Sequence, residues 1–199
     1  MKRLVLALAL LSPMAALGQA VVGQGIVDGK IIEILSDKTW RYAAGADATA
    51  PHCQLMDGTV SFCADGSAWQ ATTALSAEAD GSFVKDGSYY GMLIVDRFGT
   101  EAGISPQMMR DAVLQNARRA TPVEPTVISV TPVTVDGQQG ETIVFLTAYN
   151  GASLVFSDTT VIGATQSLQI ITYTLGKVYA PDQVAAHEEF VAQTRIAAP

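Results

Sequence analysis

The chain is poor in the residues from which catalytic and metal centres are usually built. Its 199 residues include two cysteines, two histidines and two tryptophans, with 12 lysines and arginines against 19 acidic side chains. Two histidines do not furnish the three or four ligands of a zinc site, and His187-Glu188 sits on adjacent, diverging positions without a His-x-x-x-His pattern. No Gly-x-Ser-x-Gly elbow occurs, since Gly87-Ser88-Tyr89-Tyr90-Gly91 misplaces the serine. Gly23-Gln24-Gly25 lacks the third glycine and following helix of a phosphate loop. No catalytic residue, metal or cofactor is expected. The acidic residues, with no alternating carboxylate loop of the EF-hand kind, read as solvated turn aspartates and not as a calcium cage. A pair of carboxylates flanking a cleft, as glycoside hydrolysis requires, is not legible in the order of residues.

Scarcity of positive charge excludes a second set of functions. The one basic pair, Arg118-Arg119, falls at the end of a predicted helix, where cations complement the helix dipole. A net negative chain without a basic patch repels phosphate backbones, so neither nucleic acid nor anionic lipid is an expected partner. Long apolar runs are also missing: no stretch after the first twenty residues approaches the eighteen needed to cross a bilayer.

What the chain does have is an export signal at its start. Lys2 and Arg3 precede the apolar run Leu4 to Leu11, Ser12-Pro13 breaks it, and small residues up to Gly18 or Ala20 suit a signal peptidase. Cleavage there removes two of the 12 basic side chains and leaves 10 against 19 acidic ones, a net charge of −9. The mature chain is expected to be periplasmic or secreted, with no cysteine near the cleavage point to carry a lipid. In that compartment Cys53 and Cys63, ten residues apart, read most simply as one disulfide. The spacing is not the Cys-x-x-Cys arrangement of a redox thiol, although His52 beside Cys53 keeps that alternative open.

The remainder divides by texture into a hairpin-rich region at 21–74, a small polar linker at 75–85 and a larger unit at 86–199. Turn formers followed by a hydroxyl residue and then a large apolar one recur at Asp37, Asp57, Asp65, Asp80 and Asp86, at uneven spacing, and read as serial hairpins. Lys30 to Leu35 is a strand, with Trp40 and Tyr42 on one face of the next. In the larger unit, strands are expected at Tyr89 to Arg97, Thr126 to Val135, Thr142 to Tyr149, Ala152 to Ser157 and Gln166 to Leu175. Asn150-Gly151 is the clearest hairpin signal. Ser105-Pro106 caps a helix running to Arg119, with Met109, Ala112, Val113, Asn116 and Ala120 as its apolar stripe and Met108 and Met109 packed in the core. A closing helix spans roughly Pro181 to Arg195. This order describes an α+β fold, an antiparallel sheet covered by helices and preceded by a small disulfide-linked hairpin region.

From Tyr89 to Ile196 the chain resembles the PsbP/DcrB-like domains of bacterial envelopes and photosynthetic lumens. The matching pieces are the Ser105-Pro106 helix, the hairpin "ETIVFLTAYNGASLVFSD", the strand "SLQIITYTL" and the closing "GKVYAPDQVAAHEEFVAQT". The resemblance implies a sandwich in which the last helix packs back on the sheet, and a non-enzymatic binding or assembly factor; it carries over no catalytic residue. The expected function is therefore a non-catalytic protein of the bacterial envelope whose partner is another envelope protein. Trp40, Trp69, His52 and His187 are its candidate contact residues, each with a packing role as the competing reading. Two alternatives stand beside it: a hydrolase or small-ligand receptor whose site forms only in three dimensions, and an inhibitor presenting the Cys53–Cys63 loop to an exported enzyme.

Overall fold

The structure is a computed structural model that describes residues 21–27, 30–42, 53–57, 59–64, 67–121 and 123–197. The signal segment 1–20, His52, Gly58 and the Asp65-Gly66 turn lie outside the described residues. The chain forms two compact units, Met1–Ala50 and Pro51–Pro199.

In the first unit β1 (Val21–Val27), β2 (Lys30–Leu35) and β3 (Trp40–Tyr42) form an antiparallel meander, with Trp40 opposite Ile34. Lys38 takes a left-handed conformation at φ 69° in the β2–β3 turn, and the Asp37 carboxylate accepts from both the amide and the hydroxyl of Thr39. This is the short-range Asx geometry that makes aspartate a turn former.

The second unit is built on a seven-stranded antiparallel sheet. Its strands are β6 (Trp69–Ala71), β7 (Gly81–Lys85), β8 (Tyr89–Asp96), β9 (Thr126–Val135), β10 (Gln138–Tyr149), β11 (Ala152–Ile162) and β12 (Ser167–Leu175). They lie in the order β6-β7-β8-β12-β11-β10-β9. Two hairpins pin the register. Asp136-Gly137 has φ 47° and 82°, and Asn150-Gly151 has φ 50° and 81°, the two left-handed residues that a type I′ turn requires. A smaller sheet of β13 (Thr194–Ile196), β5 (Val60–Cys63) and β4 (Cys53–Leu55) belongs to the same unit.

Two helices complete it. Helix α1 (Pro106–Ala120) begins where the Ser105 hydroxyl accepts from the Met108 amide, and ends on Arg118 and Arg119. Helix α2 (Pro181–Gln193) has proline at its first position, and Gln183 reaches back to accept from the Ala180 amide. Alternation sorts the sheet residues to two faces. On one, α2 packs Ala186 and Phe190 against Val60, Phe62, Trp69, Phe83, Leu93 and Ile170. Gly91 is required there, because a Cβ would lie 2.6 Å from the Phe190 ring. On the other, α1 packs Val113, Leu114 and Ala117 against Ile143, Phe145 and Phe156.

The sequence-based outline needs five corrections. The polar stretch 75–85 is not simply a linker: its end is β7, which buries Ser82 and Phe83, and the compact unit begins at Pro51. Asp80-Gly81 accordingly makes no hairpin turn, and the Asp80 carboxylate accepts from the Val95 amide at 2.7 Å. The strand expected to end at Ser157 continues to Ile162 through three more polar residues, Asp158, Thr159 and Thr160. The closing helix stops at Gln193, because Thr194–Ile196 pairs with β5. Along α1 the buried side is Met109 and Val113 with Leu114 and Ala117 beside them, while Ala112, Asn116, Ala120 and Met108 are exposed.

Candidate functional site

A cleft of about 590 Å³ opens between α2 and the β9–β10 hairpin. Ser129, Thr131 and Thr142 supply hydroxyls, Val144, Val184 and Val191 supply apolar walls, and Glu188 and Arg195 stand at its margin. His187 reaches it from α2, the only predicted contact residue among the described ones that does.

His187 is buried and fully engaged. Its Nε2 lies 2.8 Å from the Thr159 hydroxyl and its Nδ1 lies 2.8 Å from the Thr172 hydroxyl. Thr159 is itself 2.6 Å from the Thr142 hydroxyl. A neutral imidazole has one N–H and one lone pair, so one ring nitrogen donates and the other accepts, and hydroxyls serve both roles. Burial drives the imidazole to lose its proton, down to about 4. At neutral pH the ring is therefore an uncharged crosslink between α2 and strands β11 and β12. Both ring nitrogens are taken up by buried threonine hydroxyls, which leaves neither free to act as a base towards the cleft in this arrangement.

The acidic neighbours of His187 have separate roles. Glu189 is half-buried and ion-paired with Lys85 of β7, whereas Glu188 is exposed. Asp182, exposed at the start of α2, accepts from the Tyr89 hydroxyl at 2.7 Å. That hydrogen bond holds the Asp182 carboxyl below its ordinary range and raises the Tyr89 hydroxyl above its own. Among the described residues no three histidine, cysteine, aspartate or glutamate side chains are grouped to hold a metal ion.

The other predicted residues are dispersed. Cys53 and Cys63 are bonded to each other and stand directly opposite on β4 and β5, with Cα atoms 4.0 Å apart. Trp69 is buried with its ring centroid 4.6 Å from that of Phe190, a packing role. Trp40 lies in the first unit and is 51% exposed. His52 is outside the described residues. Sequence reasoning missed Thr142, Thr159 and Thr172, and above all Asp158. The signal was present in the run Ser157-Asp158-Thr159-Thr160, where four polar residues interrupt an otherwise apolar hairpin strand. Of these, Ser157, Asp158, Thr159 and Thr160 are all buried.

The edge of the sheet beside the cleft is β9. Val135 and Gln138 flank a two-residue turn as a hydrogen-bonded pair, so the backbone groups of Thr134, Pro132 and Val130 point away from β10. Val127, Ile128 and Val130 are exposed along this edge. Pro132 stands where an outward N–H would otherwise be, a usual way of blunting an edge strand.

This architecture, an antiparallel sheet with a helix on each face, is a PsbP-like fold, to which this chain adds a small disulfide-linked β region. Among solved structures, the chain superposes on cyanobacterial PsbP (CyanoP) from Synechocystis sp. PCC 6803 with TM-score 0.51 and 11% identity, over 77% of this chain and 96% of that one. It is also similar to LpqN, involved in cell envelope biogenesis of Mycobacterium tuberculosis, with TM-score 0.46 and 16% identity over 77% of this chain and 88% of that one. A third is PA94 from Pseudomonas aeruginosa, a putative regulator of unknown function, with TM-score 0.39 and 11% identity over 79% and 88% of the two chains. No family model and no curated protein matches the sequence. At these identities the likeness establishes the fold alone. No helix among the described residues is long and apolar enough to cross a membrane.

Proposed function

We propose that this is an exported, non-catalytic protein of the bacterial envelope that works by binding another envelope protein. The observation that carries the reading is the state of His187. Among the described residues the one imidazole near the cleft is neutral, buried and bonded at both nitrogens, so it is spent on holding α2 to the sheet. Export is supported by the signal-like segment Met1 to Ala20 and by the Cys53–Cys63 bond, which suits an oxidising compartment. The binding surface on this reading is the exposed β9 edge with the cleft behind it.

The test has two arms. Mass analysis of the protein from fractionated cells is expected to find a chain beginning after Gly18 or Ala20 in the periplasmic or secreted fraction. A full-length cytosolic product with both thiols free contradicts export. Pull-down from a periplasmic extract is expected to recover one specific protein with the wild-type chain and to lose it with Ile128→Asp. Loss of nothing, or recovery of nothing across conditions, contradicts binding through this edge. A small-ligand receptor is the second reading, favoured by the volume and mixed lining of the cleft. Binding that survives Ile128→Asp but fails with Thr131→Trp, which fills the cleft, favours the receptor.

A further inference from the structure

The face of the sheet under α1 contains buried polar groups with no partner. Asp158 lies on β11 between its cross-strand neighbours Ile143 and Ile171, two residues beyond Phe156. It is 2% exposed and its Oδ1 is enclosed without a hydrogen bond. Thr147 and Ser167, buried on the same face by strand alternation, also have hydroxyls without partners. Buried polar groups are normally satisfied, and a lone carboxylate is the most expensive exception.

Helix α1 packs over Ile143, the cross-strand neighbour of this carboxyl. Arg110 pairs with Glu141 on one side of it, and Leu114 and Ala117 meet Phe145 and Phe156 on the other. The attachment is slight: only Met109 and Val113 of its fifteen residues are buried. Groups able to neutralise Asp158 are otherwise committed or remote. Arg110 and Glu141 bind each other, Asp111, Arg118 and Arg119 of α1 are exposed, and Arg118 pairs with Glu124. From β12 and β8 the titratable groups on this face are Tyr173, Tyr90 and Asp96, and β9 contributes none. Burial alone pushes the Asp158 carboxyl up to about 7.

We propose that α1 is a pH-sensitive cover: it seats firmly while Asp158 carries a proton and loosens when the carboxyl ionises, baring the Ile143, Phe145 and Phe156 surface. The sign follows from linkage. The seated state holds the proton and the open state releases it at the ordinary value of an exposed aspartate, so seating is strongest in acid. It weakens as pH rises from about 4 towards 7 and levels off above that. A protein of the outer compartment, whose pH follows the surroundings, would thereby open an apolar face at neutral pH and close it in acid.

Hydrogen exchange on the whole protein tests this, with rates corrected for intrinsic chemistry. Between pH 5 and 7 the α1 amides of the wild type are expected to lose protection by up to about tenfold per pH unit. In Asp158→Asn that loss is expected to vanish, while β11 and β12 amides keep theirs in both. Should the asparagine variant not fold, Asp158→Thr carries the same comparison. Arg110→Gln, which breaks the clasp, is expected to lower α1 protection at every pH and keep the step. The proposal is overturned if the wild type and the Asp158 variant share one pH dependence, or if the strands lose protection together with α1.

Discussion

The two faces of the seven-stranded sheet differ in how they treat polar groups. Under α2 the hydroxyls of Thr142, Thr159 and Thr172 are joined through His187, Thr174 donates to the Ser88 carbonyl and Thr194 to that of Phe190. Around them Phe62, Trp69, Phe83 and Phe190 interlock, with Phe190 within 4.6 Å of both Phe62 and Trp69 by ring centroids. Under α1 the apolar rows are equally regular: Phe145, Phe156, Tyr173 and Tyr90 are successive cross-strand partners with centroids 5.0–5.2 Å apart. Yet Asp158, Thr147 and Ser167 on that face have buried atoms left unsatisfied, whereas under α2 only the indole N–H of Trp69 is, among the described residues, and it carries no charge. The same strand builds both faces, since Asp158 and Thr159 are consecutive. One face is therefore a closed core, and the other is held shut by a single helix over an uncompensated carboxyl.

Mutations sharpen this contrast in descending order. Phe190→Ala, at the centre of the closed face, is expected to cost about 3–5 kcal/mol in denaturant unfolding, with a cavity left among the three remaining aromatic rings of Phe62, Trp69 and Phe83. His187 makes stability depend on acidity. Its folded form gives up its proton down to about 4 against an ordinary value of 6.5, so its contribution is complete above pH 6.5 and is lost as pH falls towards 4. That loss amounts to about 3 kcal/mol over the window, and His187→Gln is expected to abolish it in unfolding titrations. Joint replacement of Cys53 and Cys63 by serine is expected to lower stability by about 3 kcal/mol or less, the loop-entropy value for a bridge across ten residues. Ser105→Ala removes the α1 cap at a cost of about 1 kcal/mol, read most directly as faster exchange of the first-turn amides.

Much of the sandwich was legible because local chemistry dictates it. Asp136-Gly137 and Asn150-Gly151 admit few conformations other than tight hairpin turns, and Ser105-Pro106 is a helix start on two independent grounds. The Cys53–Cys63 pairing also followed from number and compartment. The candidate site was much less legible. Strand residues 157–160 look polar and hence terminal, whereas three-dimensional pairing of Thr159 with a histidine twenty-eight residues later makes them interior. Likewise 75–85 reads as a connector by composition, and only its pairing with β8 makes 81–85 a strand. Trp69 and Trp40 carry the same side chain in similar local sequence, yet one is enclosed and the other 51% exposed. Long-range partners decided each of these cases.

The difference in unfolding free energy between wild type and Asp158→Asn, measured from pH 4 to pH 8.5, tests the contrast most directly because all other titrating groups cancel. The variant is expected to match the wild type near pH 4, to gain on it steadily as pH rises, and to level off above 7 with an advantage of about 4 kcal/mol at most. A difference that does not change with pH would contradict an uncompensated carboxyl beneath α1.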